Sequence, residues 1–193
     1  MNDAERIRNE KLGASLIKAL ALRHFEAYYC ASSSEAAEKI LSLIPKTDVV
    51  SWGGSMTMEA LGVIDRVKKG GWRVIDRSTA QSQEEKIEIM RRALLCDTYL
   101  TGTNAISEDG EIVIVACGMN KVVKTAEDAL SRARNTAAPV NAQRFDIRTP
   151  CKTTGECADC KSTDSICSYI VRTRLCKPAG RIKVVLIGEA LGF

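Results

Sequence analysis

The hydrophobic and polar positions along the chain change period several times, and each change predicts a new element of secondary structure. Residues 3–22 repeat apolar side chains every three or four positions among charged ones, which predicts an amphipathic helix. Residues 25–30, FEAYYC, are rich in aromatic side chains and predict a strand. Ser32, followed three residues later by Glu35, is typical of a helix start. The alternation continues to a last predicted strand at residues 183–187, so the sequence predicts an α/β domain with a mainly parallel sheet flanked by helices.

The central stretch, residues 49–77, predicts one strand–helix–strand unit. An apolar run is broken by Gly53 and Gly54, and apolar positions at helical spacing then predict one helix before a second strand. Small residues allow a ligand to approach the backbone, and the first amides of a helix lack partners within it. Gly53, Gly54, Ser55 and Thr57 are therefore a candidate site for a phosphate or carboxylate. The alternative interpretation is that they only form a turn and cap the helix.

Two further candidates lie near the following strands. Asn104 follows a predicted strand at residues 98–101, and open α/β sheets bind ligands beyond the carboxyl ends of their strands. Asn104 is therefore expected either to line the same crevice or to support the next turn. Glu108 precedes Asp109-Gly110, which predicts a hairpin turn. The remaining predictions are a helix at residues 83–95 with Ile87, Met90 and Leu94 facing inward, a strand at 113–117, a helix at 126–134 capped by Thr125, and irregular structure at 139–165.

The composition narrows the class of protein. The 193 residues fit one domain, residues 1–193, and 45% hydrophobic with 27% charged residues is typical of a globular protein. No apolar run approaches the roughly 20 residues that span a bilayer, and the charged start MNDAERIRNEK lacks a signal-peptide core. We therefore expect a cytoplasmic protein without membrane association. The formal charge of +4 comes from scattered bases and not from a basic block, so nucleic-acid binding is not expected.

Five of the eight cysteines lie between residues 151 and 176, and residues 150–176 are predicted to be a cysteine-rich insertion. Cys151, Cys157, Cys160 and Cys167 follow the spacing C-x5-C-x2-C-x6-C. Four thiolates can close a tetrahedral zinc site or hold an iron–sulfur cluster, which makes these residues candidate metal ligands. A redox pair formed by Cys157 and Cys160 is a second interpretation, and reduced thiols that pack a loop are a third.

Several longer segments carry a family resemblance. They are FEAYY, SWGGSMTMEALG, WRVIDR, TGTNAISEDGEIV, CGMNKVVK, ARNTAAPVNAQR, TPCKTTGECADC and VLIGEALGF. Together they cover most of the chain and resemble the LUD family of lactate-utilization proteins. The resemblance implies a fold related to the group that contains ribose-phosphate isomerase, glucosamine-phosphate isomerase and the CoA-transferases. Members of that group also hold phosphate or carboxylate groups at a glycine-serine-threonine turn that follows a strand.

The resemblance implies three functions, which stay open at this point. In the first, the protein binds a carboxylate or phosphorylated small molecule at the Gly53–Thr57 turn and takes part in oxidation of L-lactate to pyruvate beside iron–sulfur partner subunits. In the second, it is an acyl- or CoA-transferase-like enzyme, because Ser107-Glu108-Asp109-Gly110 resembles the segment in which CoA-transferases carry a nucleophilic glutamate. In the third, it is a non-catalytic subunit of a redox complex. Self-association into a homo-oligomer is compatible with each.

One departure from the family pattern falls at residues 111–114. Family members continue from the hairpin through a loop and a helix before they reach a strand that resembles VIVACGMNK, whereas here Glu111-Ile112-Val113 runs directly into Ile114. About twenty residues would then be missing, either by deletion or because a mobile segment is left out of the numbered chain. The second explanation predicts a spatial break between residues 111 and 114.

Overall fold

The computed structural model describes residues 2–115 and 121–191, which form a mixed α/β fold. The helices are α1 (Asp3–Leu22), α2 (Ser33–Ser42), α3 (Met56–Ala60), α4 (Val63–Lys69), α5 (Gln83–Ala93), α6 (Ala126–Arg132), α7 (Ala138–Ala142) and α8 (Pro150–Thr154). The strands are β1 (Glu26–Cys30), β2 (Val49–Trp52), β3 (Arg73–Ile75), β4 (Thr98–Leu100), β5 (Ala105–Ser107), β6 (Ile112–Val115), β7 (Lys121–Val123), β8 (Ile170–Thr173) and β9 (Lys183–Ile187). A 3₁₀ turn spans Arg77–Thr79, and a π-helical turn, Ala133–Ala137, joins α6 to α7.

The described strands form three sheets where the sequence predicts one. The first pairs β1 with β9, and the second has the order β3-β2-β4; both are parallel, as predicted. The third has the order β7-β5-β6-β8 and is mixed, because β5 pairs antiparallel with β6 and parallel with β7. The predicted hairpin between residues 105–106 and 112–113 is thus confirmed, with Ala105 opposite Val113 and Ile106 opposite Ile112.

Local signals in the sequence determine the helix starts. The side chains of Ser32 and Thr125 accept hydrogen bonds from backbone amides three residues ahead and cap α2 and α6, as predicted. The single helix predicted after the paired glycines is wrong, because Gly62 takes a left-handed conformation with φ of +64° and divides it into α3 and α4. A residue with positive φ cannot continue a right-handed helix.

The predicted inward face of α5 is also wrong. Ile87, Met90 and Leu94 are exposed, and Ile89 is instead the buried residue of this helix. An apolar stripe at helical spacing indicates which side chains share a face, but it does not indicate what that face meets.

Irregular structure at residues 139–165 is wrong in two places, where α7 and α8 form. Proline occupies the first turn of each, a position at which its missing N–H is tolerated. Strands β7 and β8 are too short and too polar at their ends to be predicted from periodicity. The predicted strand at residues 113–117 lies partly outside the described residues, and the part that is described belongs to β6.

The predicted break between residues 111 and 114 is wrong. Residues 112–115 form the continuous strand β6, which pairs antiparallel with β5 on one side and with β8 on the other. The carbonyl of Glu111 accepts a hydrogen bond of 3.0 Å from the Ser107 amide, which closes the hairpin. The hairpin strand β6 therefore also serves as one of the two inner strands of the third sheet.

Two apolar clusters hold the sheets together. One, which includes Val50, Val63 and Leu100, packs α2 and α4 against the second sheet. The other joins α1 to the third sheet through Leu16 and Ile112, with partly buried residues of β9 packed against it. Within the described ranges, no helix is both long enough and apolar enough to cross a membrane.

Candidate ligand-binding cleft

A cavity of about 1050 Å³ lies where the three sheets meet. Its wall contains the apolar face of α1 and residues from β4, β6, β7 and β9. Strands β4 and β9 each pair on one side only among the described strands, and both line the cavity. Most of the wall is apolar, with a small number of polar groups, which is the usual composition of a small-molecule site.

The Gly53–Thr57 turn lies at the edge of this cavity, after β2. Ser55 and Thr57 belong to the cavity wall, whereas Gly53 and Gly54 lie outside the lining. The Ser55 hydroxyl caps α3 by accepting a hydrogen bond of 3.3 Å from the Met58 amide. Ser55, one of the predicted ligand-binding residues, therefore also caps a helix. The two interpretations of this turn, ligand site and helix cap, are compatible for this residue.

Two hydroxyl groups lie beside the backbone of Gly53. A methyl group on Gly53 would lie 3.5 Å from the Tyr99 hydroxyl oxygen and 3.6 Å from Thr101 Oγ1. Both Tyr99 and Thr101 line the cavity. The turn thus adds to Ser55 and Thr57 two further hydroxyl groups that the sequence interpretation missed. Their position one strand away, at the end of β4 beside β2, was the available signal.

Arg77 supplies a positive charge on the other side of the turn. A methyl group on Gly54 would lie 3.2 Å from Arg77 Nη2. Arg77 and Tyr99 also line a second cavity of about 130 Å³ beside the turn. Sequence analysis missed Arg77 as well, although it follows β3, which lies parallel to β2.

Asp76 fixes the segment that carries Arg77. Burial raises the pKa of Asp76, but hydrogen bonds from the Lys68 ammonium and from the Ser78 amide and hydroxyl outweigh burial, so the pKa is lowered overall. The Lys68 Nζ to Asp76 Oδ2 distance is 2.6 Å, and Ser78 donates at 2.9 Å from its amide and 2.7 Å from its hydroxyl. Asp76 is thereby held as a carboxylate that pairs with Lys68 and not with Arg77.

Several cations on the cavity wall lack an acidic partner. Arg8, Lys121 and Arg181 line the cavity, and none of them forms an ion pair with a carboxylate in the part of the chain that the structure describes. Lys183, in contrast, is paired with Glu26 at 2.6 Å. Asp97 and Glu189 also line the cavity, and neither forms an ion pair among the described residues; each accepts hydrogen bonds, from the Val49 amide and from Ser33 respectively. The three unpaired cations thus exceed the two unpaired carboxylates by one, and this net positive charge favours an anionic ligand.

Asn104 and Glu108 lie away from the cavity lining. The Asn104 side chain is buried, with the residue 1% exposed, and its backbone amide donates a hydrogen bond of 3.1 Å to the Val113 carbonyl at the base of the hairpin. Glu108 is exposed at the hairpin turn, and its amide donates to the Val123 carbonyl at 2.8 Å. The structure does not bring either residue to the turn at Gly53, so a role for Glu108 as a nucleophile stays a prediction from the resemblance.

The four candidate metal ligands occupy different environments. Cys151 is buried in α8, with its Sγ 3.3 Å from Thr149 Oγ1, while Cys157, Cys160 and Cys167 are partly exposed. Over residues 2–115 and 121–191, no group of three or more His, Cys, Asp or Glu side chains is arranged to hold a metal ion. The donor set for zinc or an iron–sulfur cluster is thus not assembled here, and metal analysis of the isolated protein tests that prediction.

The fold and the cleft define a class of protein: an α/β protein with parallel sheets flanked by helices and an apolar cavity with positive charges on its wall. The LUD domain family model matches residues 14–116 and 111–187. The chain belongs to the LUD-domain family and is a lactate-utilization-type protein. No curated protein and no solved structure gave a significant match to the chain.

The two family matches overlap at residues 111–116, where the family resemblance departs from the usual pattern. This overlap contains all of β6, the strand that both closes the hairpin with β5 and pairs with β8. One strand of this chain therefore matches two parts of the family model.

Proposed function

We propose that the protein binds a small anionic metabolite in the large cleft, with the anionic group at the Gly53–Thr57 turn, and that it does so in the oxidation of L-lactate to pyruvate. The observation that carries the proposal is the set of wall cations without acidic partners, Arg8, Lys121 and Arg181, together with Arg77 beside the turn. A cation that is not neutralised by the protein is available to a ligand carboxylate or phosphate.

The size of the cleft favours the phosphorylated class over a small carboxylate alone. A molecule of the size of lactate occupies on the order of 100 Å³, judged from the roughly 30 Å³ that one water molecule takes in the liquid. Lactate would then fill about a tenth of a 1050 Å³ cavity. A ligand with a phosphate at the turn and a longer organic part against the apolar wall uses both the charge and the volume of the site.

The partners in this proposal are iron–sulfur oxidoreductase subunits, as the family resemblance implies, and the proposed fold kinship is with the phosphosugar isomerase and CoA-transferase group. The protein would bind the metabolite, and the partner subunits would carry the electrons. Co-purification of the partner subunits with the full-length chain from cells grown on L-lactate tests the assembly. A chain that purifies alone under gentle lysis contradicts it.

Calorimetric titration with L-lactate, pyruvate, inorganic phosphate and a sugar phosphate tests binding. Arg77→Gln removes the charge at the turn and should weaken phosphate-ligand binding by about tenfold, the order of one charge-assisted hydrogen bond. Gly53→Ala places a methyl group at ordinary contact distance from Tyr99 and Thr101, so it should keep the fold and weaken binding. Arg148→Gln is the matched control, because Arg148 is exposed and lies outside the cavity lining.

Two outcomes contradict the proposal. The first is a parent protein that binds none of the four ligands at millimolar concentration. The second is binding that Arg77→Gln and Arg148→Gln weaken equally, since the charge at the turn would then have no special role.

A further inference from the structure

An apolar patch on α5 and the residues after it is open to solvent. Ile87 and Met90 are 44% and 47% exposed, and Leu94 and Leu95 are 84% and 86% exposed. Ile87, Met90 and Leu94 follow one another at spacings of three and four residues, so they share one face of the helix. We call these four residues the α5 patch. A contiguous exposed group of this kind marks an interaction surface more often than isolated surface leucines do.

The charges beside the α5 patch are divided along the helix. The first part of α5 contains three acids, Glu84, Glu85 and Glu88, and one base, Lys86, whereas its last turn contains Arg91 and Arg92. Glu88 and Arg91 are 3.6 Å apart, and their side chains are 61% and 73% exposed. An ion pair this exposed contributes little within one chain, so both groups are available to a partner.

We propose that the α5 patch is the interface of a homodimer in which two copies of α5 pack antiparallel. A twofold axis near Met90 places Ile87 of one copy against Leu94 of the other. The same arrangement brings Glu88 of one copy next to Arg91 of the other, and it does so twice because the interface is isologous. In this orientation the flank that carries Glu88 and Arg91 meets the same flank of the other copy with opposite charges facing each other, so the charge pattern complements an antiparallel second copy as the occupant.

The second copy would also cover the small cavity beside the glycine turn. Met90 and Leu94 of the patch line that cavity together with Trp52, Arg77 and Tyr99. Dimerisation would therefore reduce the access of water to Arg77. A charged group that is shielded from water interacts more strongly with an anion, so the dimer and the proposed ligand would favour each other.

The oligomeric state of the full chain, measured by sedimentation equilibrium over a range of concentrations, tests the proposal. We expect a dimer for the parent protein and a dissociation constant at least about 100-fold larger for Leu94→Glu, because each dimer loses two buried leucine side chains. Leu22→Glu is the matched control, since Leu22 in α1 is 81% exposed and should leave the dimer unchanged.

Charge reversal tests the antiparallel orientation. Glu88→Arg should weaken the dimer, and the double variant Glu88→Arg with Arg91→Glu should restore it, because the inter-copy pairs are rebuilt with opposite signs. Thermal unfolding confirms that each variant is folded before its mass is compared. A monomeric parent protein overturns the proposal. So does a dimer that survives Leu94→Glu but dissociates in Val171→Glu, because the interface would then be the half-exposed edge strand β8.

Discussion

Glu111 is the buried acid on which the junction between the hairpin and β6 depends. Its side chain is 5% exposed and forms ion pairs with Arg23, at 3.2 Å, and with Arg172 of β8. Arg23 is itself only 18% exposed. Glu111→Gln keeps the shape of the side chain but removes its charge. The poorly hydrated Arg23 guanidinium then has the exposed Asp109 carboxylate, at 2.5 Å, as its remaining acidic partner among the described residues.

The expected loss follows from these contacts. Removing one partner of a buried ion pair costs about 3–5 kcal/mol when the other charge is left unpaired, but Arg23 keeps Asp109 and the glutamine oxygen retains one acceptor, so we expect about 2 kcal/mol for Glu111→Gln. For a chain of this length, each kcal/mol lowers the unfolding midpoint by about 2–4 °C, which predicts a decrease of roughly 4–8 °C. Scanning calorimetry with a parallel urea titration measures both quantities.

Glu127→Gln is the matched control for this prediction. Glu127 also pairs with Arg172, at 3.1 Å, but its side chain is 75% exposed. Exposed pairs contribute little, so the control should change the midpoint by at most about 2 °C. If Glu111→Gln lowers the midpoint no more than Glu127→Gln does, the reasoning is refuted, and β6 does not follow a buried Glu111 as described.

Three further predictions concern other parts of the chain. Gly110→Ala should destabilise the protein by about 3 kcal/mol or more in urea titration, because φ is +88° and the methyl group would lie 2.9 Å from the backbone of α1. Gly71→Ala is the control: φ there is +81° but the space around it is open, so it should cost only about 1 kcal/mol. Equal losses in the two variants would contradict the contact between the hairpin and α1. The pKa of Asp76 is lowered in the folded protein, so its carboxylate stabilises the fold above its unfolded pKa, and this contribution is lost as the pH falls through the folded pKa. Unfolding free energies measured between pH 5 and pH 2 should therefore fall more steeply in the parent protein than in Asp76→Asn. Parallel curves for the two proteins would contradict this prediction. In timed alkylation followed by mass spectrometry, the partly exposed Cys157 should react in the native protein. Cys176 is 1% exposed and its Sγ is hydrogen-bonded, so it should react only when the protein unfolds. Equal reaction rates would contradict the burial of Cys176.

The sequence predicts well wherever a local rule determines the structure. The caps at Ser32 and Thr125, the hairpin turn at Asp109-Gly110 and the parallel pairing of β2 with β3 each depend on residues close together in the chain, and each is confirmed. The division of the central helix at Gly62 was missed because a glycine within a helical pattern does not show its φ in advance.

The cleft was harder to predict because its groups come from distant parts of the chain. Ser55 and Thr57 were found from the glycine turn, but Arg77 and Tyr99 approach that turn only through the pairing of β3 and β4 with β2. Asn104 was chosen by the rule that ligands bind beyond strand ends, yet the chain turns into the hairpin there and buries its side chain. The inward face of α5 was predicted wrongly because it depends on tertiary packing, which helical periodicity does not indicate.

The separation of the sheets determines how the cleft can respond to a ligand. No backbone ladder joins the β1–β9 pair to the other sheets among the strands that the structure describes, so side-chain packing alone sets the distance between β9 and β4 across the cavity. Such walls can move apart or together by exchanging apolar contacts, without breaking a single main-chain hydrogen bond. The width of the cleft therefore depends on these apolar contacts, whereas the Gly53–Thr57 turn is attached directly to the end of β2.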